Sequence, residues 1–166
     1  RDLHSFPTRR SSDLDLGTKN GIYLTDCITT DCFLKDFGET FARLFGGVRH
    51  DSADPIAWGE KMLAHYMKIG VPYADKTLLF SDSLNFEKAE VIYQRFALRC
   101  KVAFGIGTWL LNDTGHFKPM NQVIKLTEVN GIPVCKVSDD DGKFMGKSEE
   151  YHEYLKRAIK WRVEHD

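Results

Sequence analysis

Four short stretches of this sequence gather residues able to handle a sugar phosphate: Thr25-Asp26, Arg49-His50-Asp51-Ser52, Ser81-Asp82-Ser83 and Gly105-Ile106-Gly107-Thr108. Asp26, Asp51 and Asp82 supply carboxylates that accept from ribose hydroxyls or ligate magnesium. Arg49 supplies a planar guanidinium that meets a carboxylate or lies on an aromatic ring. Ser52, Ser81 and Thr108 add hydroxyls, and a loop holding Gly105 and Gly107 can turn backbone N–H groups towards phosphate. Taken singly, these signals are weak. A lone Gly-x-Gly-Thr is usually a turn, and the stretch Asp51-Ser-Ala-Asp-Pro55 reads equally well as helix capping, as do Asp26 and Asp82.

Their value depends on the elements that carry them. Residues 21–26 form a short apolar run ending in a polar pair. Thr30 or Asp31 is placed to cap a helix running to about Phe45, with Phe33, Phe37, Phe41 and Leu44 on one face. Residues 48–50 make a brief strand. Asp54 as N-cap and Pro55 at the first helical position open a helix carrying Trp58, Met62, His65, Tyr66 and Ile69, which stops at Gly70. Residues 77–80 are strand-like. Asn85 caps a helix to Phe96 with Ala89, Ile92, Tyr93 and Phe96 inward, and residues 101–104 form a further strand. Strands alternating with helices predict a parallel sheet with crossover helices. In such sheets ligands bind beyond the carboxyl ends of the strands, and each of the four polar stretches falls at such an end. Beyond them, residues 123–129 and 132–137 flank Asn130-Gly131, a hairpin signal, and residues 149–162 form a terminal helix.

Composition excludes several classes. Hydrophobic residues are 42% and charged residues 28%, the balance of a globular protein, and no run of 18 apolar residues occurs. A net charge of −1 argues against a broad nucleic-acid or membrane-binding surface. Cys27, Cys32, Cys100 and Cys135 make no Cys-x-x-Cys pair and read as buried free thiols of a cytoplasmic protein. The histidines form no metal-binding pattern. His65 reads as a helix-face residue, and His116 and His152 as surface residues. Trp58, Trp109 and Trp161 read as packing residues, and Asp139-Asp140-Asp141-Gly142 as a solvated turn.

Residues 1–14 differ in character: they have no helical or strand period and three arginines. They coincide with the translation of a widely used short-read sequencing adapter. They are expected to be an artefact without defined packing, leaving residues 15–166 as the protein proper, part of a longer reading frame.

At the candidate residues the sequence resembles the nicotinate phosphoribosyltransferase family, bacterial members in particular. The stretches that carry the resemblance are Leu24-Thr-Asp-Cys27, Gly47-Val-Arg-His-Asp-Ser-Ala-Asp-Pro55, Trp58-Gly-Glu-Lys61, Phe80-Ser-Asp-Ser-Leu84, Phe104-Gly-Ile-Gly-Thr108 and Lys118-Pro-Met-Asn-Gln-Val-Ile-Lys-Leu126. Residues 134–138, within the string PVCKVSD, continue it. The resemblance runs from Gly17 to about Trp161 and implies the C-terminal portion of an irregular type II phosphoribosyltransferase α/β barrel, followed by the hairpin and terminal helix. It implies condensation of nicotinate with phosphoribosyl pyrophosphate to nicotinate mononucleotide and pyrophosphate, coupled to ATP hydrolysis, with Mg2+ and a homodimeric full-length enzyme. Carried over by motif, Arg49 contacts nicotinate, Asp51 and Ser52 lie beside it at the ribose, and Ser81 and Asp82 hold the sugar. Gly105, Gly107 and Thr108 bind the 5′-phosphate, and Asp26 faces pyrophosphate and magnesium. Catalysis falls to Asp26, Arg49 and Asp51.

The sequence departs from the family pattern in two ways. Ala53 stands where the family commonly has glycine, and the family's phosphorylated histidine has no counterpart here. Because a complete α/β barrel of eight strands takes ~250 residues and this chain supplies about four barrel strands and a hairpin, the chain by itself is expected to be inactive. The alternatives are a nicotinamide- or quinolinate-using relative in the same fold, or a non-catalytic module that binds a sugar phosphate. An active site requires Arg49, Asp51, Asp82 and Gly107 to converge.

Overall fold

The computed structural model describes residues 21–107, 110, 115–117, 122–140 and 144–165. Residues 1–14, Thr108, Trp109 and Asp141 lie outside that set.

The chain alternates as the spacing predicts: β1 (Ile22–Leu24), α1 (Thr30–Asp36), α2 (Glu39–Leu44), β2 (Gly47–His50), α3 (Pro55–Lys68), β3 (Thr77–Phe80), α4 (Phe86–Phe96) and β4 (Lys101–Phe104). The four strands form one sheet in chain order, with every neighbouring pair parallel. Arg49 is level with Leu24 and Leu79, and His50 with Phe80, which is itself level with Phe104. The residues just beyond these positions therefore emerge along one edge. Gly47 is required by close approach: a Cβ there would lie 2.1 Å from the Thr77 carbonyl oxygen.

The core lies between the sheet and its helices. Val48, Leu78 and Phe80 are fully buried against Trp58, Met62, Leu63 and Tyr66 of α3 and Ile92 and Phe96 of α4. Phe80 is its centre, edge-on to Trp58 at 5.3 Å and stacked with Phe96 at 5.7 Å. Burying each such side chain contributes about 2 kcal/mol. The caps on α3 and α4 are as expected: Asp54 accepts from the Ala57 amide at 2.7 Å, and Asn85 from the Lys88 amide at 2.9 Å.

Several local expectations are corrected. The helix expected over residues 30–45 is two helices, broken at Phe37-Gly38, and its N-cap is Thr29. The break re-aims the second half, so Phe41 and Leu44 are exposed while Phe33 and Phe37 are buried. Tyr93, assigned inward, is also exposed, as are Trp161 and Cys27. His152 is buried rather than on the surface, stacking on Phe144 at 4.2 Å.

The hairpin is shorter than its apolar flanks suggest, with β5 (Glu128–Val129) pairing antiparallel to β6 (Ile132–Pro133). Asn130 and Gly131 both have positive φ, 51° and 79°, as a tight two-residue turn needs. The chain then runs back beside the loop after β1, where Val137 forms an isolated parallel bridge with Ile28 and accepts from the Thr29 amide. The terminal helix, α5 (Glu149–His165), packs on α1, with Arg162 donating to Asp36.

Three of the four turns that follow the strands contain a non-glycine residue at positive φ: Thr29 at 77°, Ala53 at 68° and Ser83 at 49°. Such conformations store strain and concentrate at functional sites. At Ala53 the left-handed conformation costs roughly 1–2 kcal/mol relative to glycine, partly offset by about 0.4–1 kcal/mol for the freedom glycine has when unfolded. Ala53→Gly is therefore expected to stabilise the protein by roughly 0.5–1 kcal/mol. Urea unfolding of the two forms measures this, and an unchanged or lower midpoint for the variant removes the strain assignment.

Candidate active site

Asp26, two residues past β1, is the most enclosed charge here, with 1% of its surface accessible. Ser52 donates to its Oδ2 at 2.6 Å and Ser138 to the same atom at 2.9 Å. The Lys136 ammonium lies 3.0 Å from each of its two oxygens. Burial alone pushes the carboxyl's pKa up. Ser52, Lys136 and Ser138 together pull it down further, below the ordinary carboxylate value. Asp26 is thus held as a fixed anion.

Lys136 also reaches Asp51 Oδ2 at 3.3 Å. The other Asp51 oxygen accepts from Arg49 Nη2 at 3.2 Å, and Arg49 Nε donates to Ser81 Oγ at 2.9 Å. The Ser81 hydroxyl in turn donates to the His50 carbonyl at 2.8 Å. The result is a line of alternating charge, Asp26–Lys136–Asp51–Arg49–Ser81, crossing the ends of three strands. Arg49 keeps 43% of its side chain exposed and Asp51 30%, so the line is open to a ligand at these two residues.

Of the remaining expected residues, Gly105 and Asp82 lie near it. Gly105 donates its backbone N–H to the Phe80 carbonyl at 2.7 Å, and a Cβ there would press within 3.0 Å of the Ser81 Cβ. Asp82, partly exposed, accepts from Ser83 Oγ at 3.4 Å and lies close enough for its charge to act on His50. Gly107 is exposed and its carbonyl accepts from Leu110 N–H at 3.1 Å. Thr108 lies outside the described residues. The structure thus joins Asp26, Arg49, Asp51, Ser52 and Ser81 through hydrogen bonds and sets Gly105 beside them.

His50 is buried between Trp58 and Phe80, and its Nε2–H donates to the Ala53 carbonyl at 3.1 Å. Burial pushes its pKa below the ordinary histidine value, so it is a neutral support for the turn.

The sequence assigns no site role to Lys136, Ser138, Asp139 or Asp140. Asp139 accepts from the Thr30 backbone N–H at 2.9 Å, and Asp140 from the Ala53 N–H at 3.2 Å. These two tie residues 139–140 to α1 and to the turn after β2, while Asp139 stays exposed as a solvated turn predicts; Asp141 and Gly142 lie outside the described residues. Trp58 is more than packing, since its Nε1–H donates to Thr25 Oγ1 at 2.9 Å.

The profile of the nicotinate phosphoribosyltransferase (NAPRTase) family matches residues 2–162. The chain belongs to the nicotinate phosphoribosyltransferase family. It is 53% identical over 139 residues to the nicotinate phosphoribosyltransferase of Cronobacter sakazakii, a match covering 84% of this chain and 35% of that protein. The corresponding Sodalis glossinidius protein is 52% identical over the same length. Among solved structures, the Vibrio cholerae nicotinate phosphoribosyltransferase superposes with a TM-score of 0.78 at 39% identity, covering 87% of this chain and 38% of that one. The chain therefore spans about 35% of the length of these curated nicotinate phosphoribosyltransferases.

Proposed function

We propose that the protein carrying this chain transfers a phosphoribosyl group from phosphoribosyl pyrophosphate to nicotinate, forming nicotinate mononucleotide and pyrophosphate in NAD salvage. The observation that carries the reading is the charge line at the strand ends, in a chain of this family. Departure of pyrophosphate leaves an oxocarbenium-like C1′, and catalysis consists of holding the nicotinate nitrogen in line and balancing charge. Arg49 takes the nicotinate carboxylate or ring. Asp51 and Asp82, both partly open, take ribose hydroxyls with Ser52 and Ser81 beside them. Gly105, Gly107 and Thr108 hold the 5′-phosphate. Coupling to ATP hydrolysis, a homodimer and a cytoplasmic location complete the proposal. Among the described residues no helix is long and apolar enough to cross a membrane.

Magnesium belongs to the proposal, but Asp26 is a poor ligand for it. A divalent ion takes an open carboxylate oxygen, but Asp26 Oδ2 already accepts from Ser52, Ser138 and Lys136, and Oδ1, although without a hydrogen-bond donor, is buried 3.0 Å from the Lys136 ammonium. Asp26 therefore acts here as an anion that organises its neighbours, and no step is assigned to a metal on it.

The test is chemical. The full-length protein is given phosphoribosyl pyrophosphate with nicotinate, nicotinamide or quinolinate, with and without ATP, and products are separated by chromatography. Product from nicotinate, increased by ATP, is expected. Turnover of only nicotinamide or quinolinate would replace the reading with one of those activities, and binding without turnover would favour a non-catalytic module.

A further inference from the structure

Lys136 belongs to none of the strand-end motifs, yet it touches two of the three carboxylates gathered there. Its ammonium lies 3.0 Å from Asp26 and 3.3 Å from Asp51, and a quarter of its side chain is exposed. The two partners differ. Asp26 is enclosed and held by Ser52 and Ser138, whereas Asp51 and Arg49 are partly open. Lys136 ties the open Asp51 to the enclosed Asp26.

The charge arithmetic gives this tie a purpose. Asp26 and Asp51 carry two negative charges, and Lys136 and Arg49 two positive ones. Without Lys136, Asp51 has Arg49 as its neighbouring cation in this line and can close on it with both oxygens. Guanidinium donors consumed in that way are lost to an incoming carboxylate. With Lys136 holding one Asp51 oxygen, Arg49 meets Asp51 through Nη2 at 3.2 Å and Ser81 through Nε at 2.9 Å, and its Nη1 edge makes neither contact.

We infer that Lys136 is a positioning residue for nicotinate: it restrains the Asp51 carboxylate and so keeps the Arg49 guanidinium open to the substrate. The inference rests on the function proposed above. Lys136 itself touches no reacting atom in this scheme.

The test uses the full-length protein with saturation curves for each substrate. Lys136→Met is expected to raise the nicotinate KM by about tenfold, the equivalent of one charge-assisted hydrogen bond, and to raise the phosphoribosyl pyrophosphate KM clearly less, through the displaced Asp51 carboxylate. Lys136→Arg, which keeps the charge, is expected to recover most of that loss. Wild-type protein that makes no nicotinate mononucleotide would sink the functional reading. Active wild type with a Lys136→Met variant whose nicotinate KM stays within twofold, or whose two KM values rise equally, sinks only the role of Lys136.

Should Lys136→Met leave Asp26 unpaired and prevent folding, Asp26→Asn/Lys136→Met removes both charges. Its nicotinate Kd, measured by titration calorimetry, is expected to be about tenfold weaker than that of Asp26→Asn alone. Equal affinities, or a double variant that also fails to fold, overturn the inference.

Discussion

Asp26→Ala is expected to destabilise the full-length protein by about 3 kcal/mol, because it strips a charged acceptor from Ser52, Ser138 and Lys136 at once. The loss should depend on pH in a defined direction. The folded carboxyl titrates below its ordinary value of 3.8. Its contribution is therefore complete above the unfolded-state value and disappears as pH falls through the lower folded-state value. Urea unfolding of wild type and variant between pH 7 and pH 3 should give a gap that is constant near neutrality and narrows on the acid side. A gap that widens on acidification, or stays under about 1 kcal/mol throughout, a typical single-substitution effect, would mean that the buried carboxylate does not organise this end of the sheet.

Arg49→Ala is expected to weaken nicotinate by about ten- to a hundredfold while changing phosphoribosyl pyrophosphate little. A guanidinium can meet a carboxylate through two parallel hydrogen bonds or lie on an aromatic ring, and such charge-assisted contacts are worth roughly 1.5–3 kcal/mol. The exposed 43% of the Arg49 side chain is consistent with a donor that awaits a partner. Thr108→Val should act in the opposite sense, removing a hydroxyl from the phosphate and sparing nicotinate. Paired saturation curves for each variant separate these effects. Equal weakening of both substrates by both variants would replace this division of labour with a general folding defect.

Much of this architecture is legible in the sequence because it is written locally. Asp54-Pro55 and Asn85 announce their helices through side-chain caps, and short apolar runs between helices can pack only as buried parallel strands. Since ligands lie beyond strand ends, the same pattern locates Asp26, Arg49, Asp51, Ser52 and Ser81. What escapes is decided by distant contacts. The break at Phe37-Gly38 lets α2 turn away, which no period within residues 30–45 reveals. Lys136 and Ser138 follow a hairpin, not a barrel strand, so the strand-end rule passes over them. The parallel bridge of Val137 to Ile28, with the ties of Asp139 and Asp140, brings them across more than a hundred residues to Asp26. Asp139 and Asp140 read as a solvated acidic run, and their further bonds to the backbone N–H groups of Thr30 and Ala53 are not visible in the sequence. The left-handed conformation of Ala53 is likewise invisible without coordinates, although the glycine common at that position in the family hints at it.

The placement of the substrate site beyond β1 to β4 is tested most directly by amide hydrogen exchange on the full-length protein, with and without nicotinate and phosphoribosyl pyrophosphate. Slower exchange is expected in the ligand-bound state at residues 25–27, 50–53, 81–83 and 105–107, with α5 and the β5–β6 hairpin turn unchanged. Exchange that is unaltered at all four strand ends, while slowing elsewhere in the chain, would contradict a substrate site at that edge of the sheet.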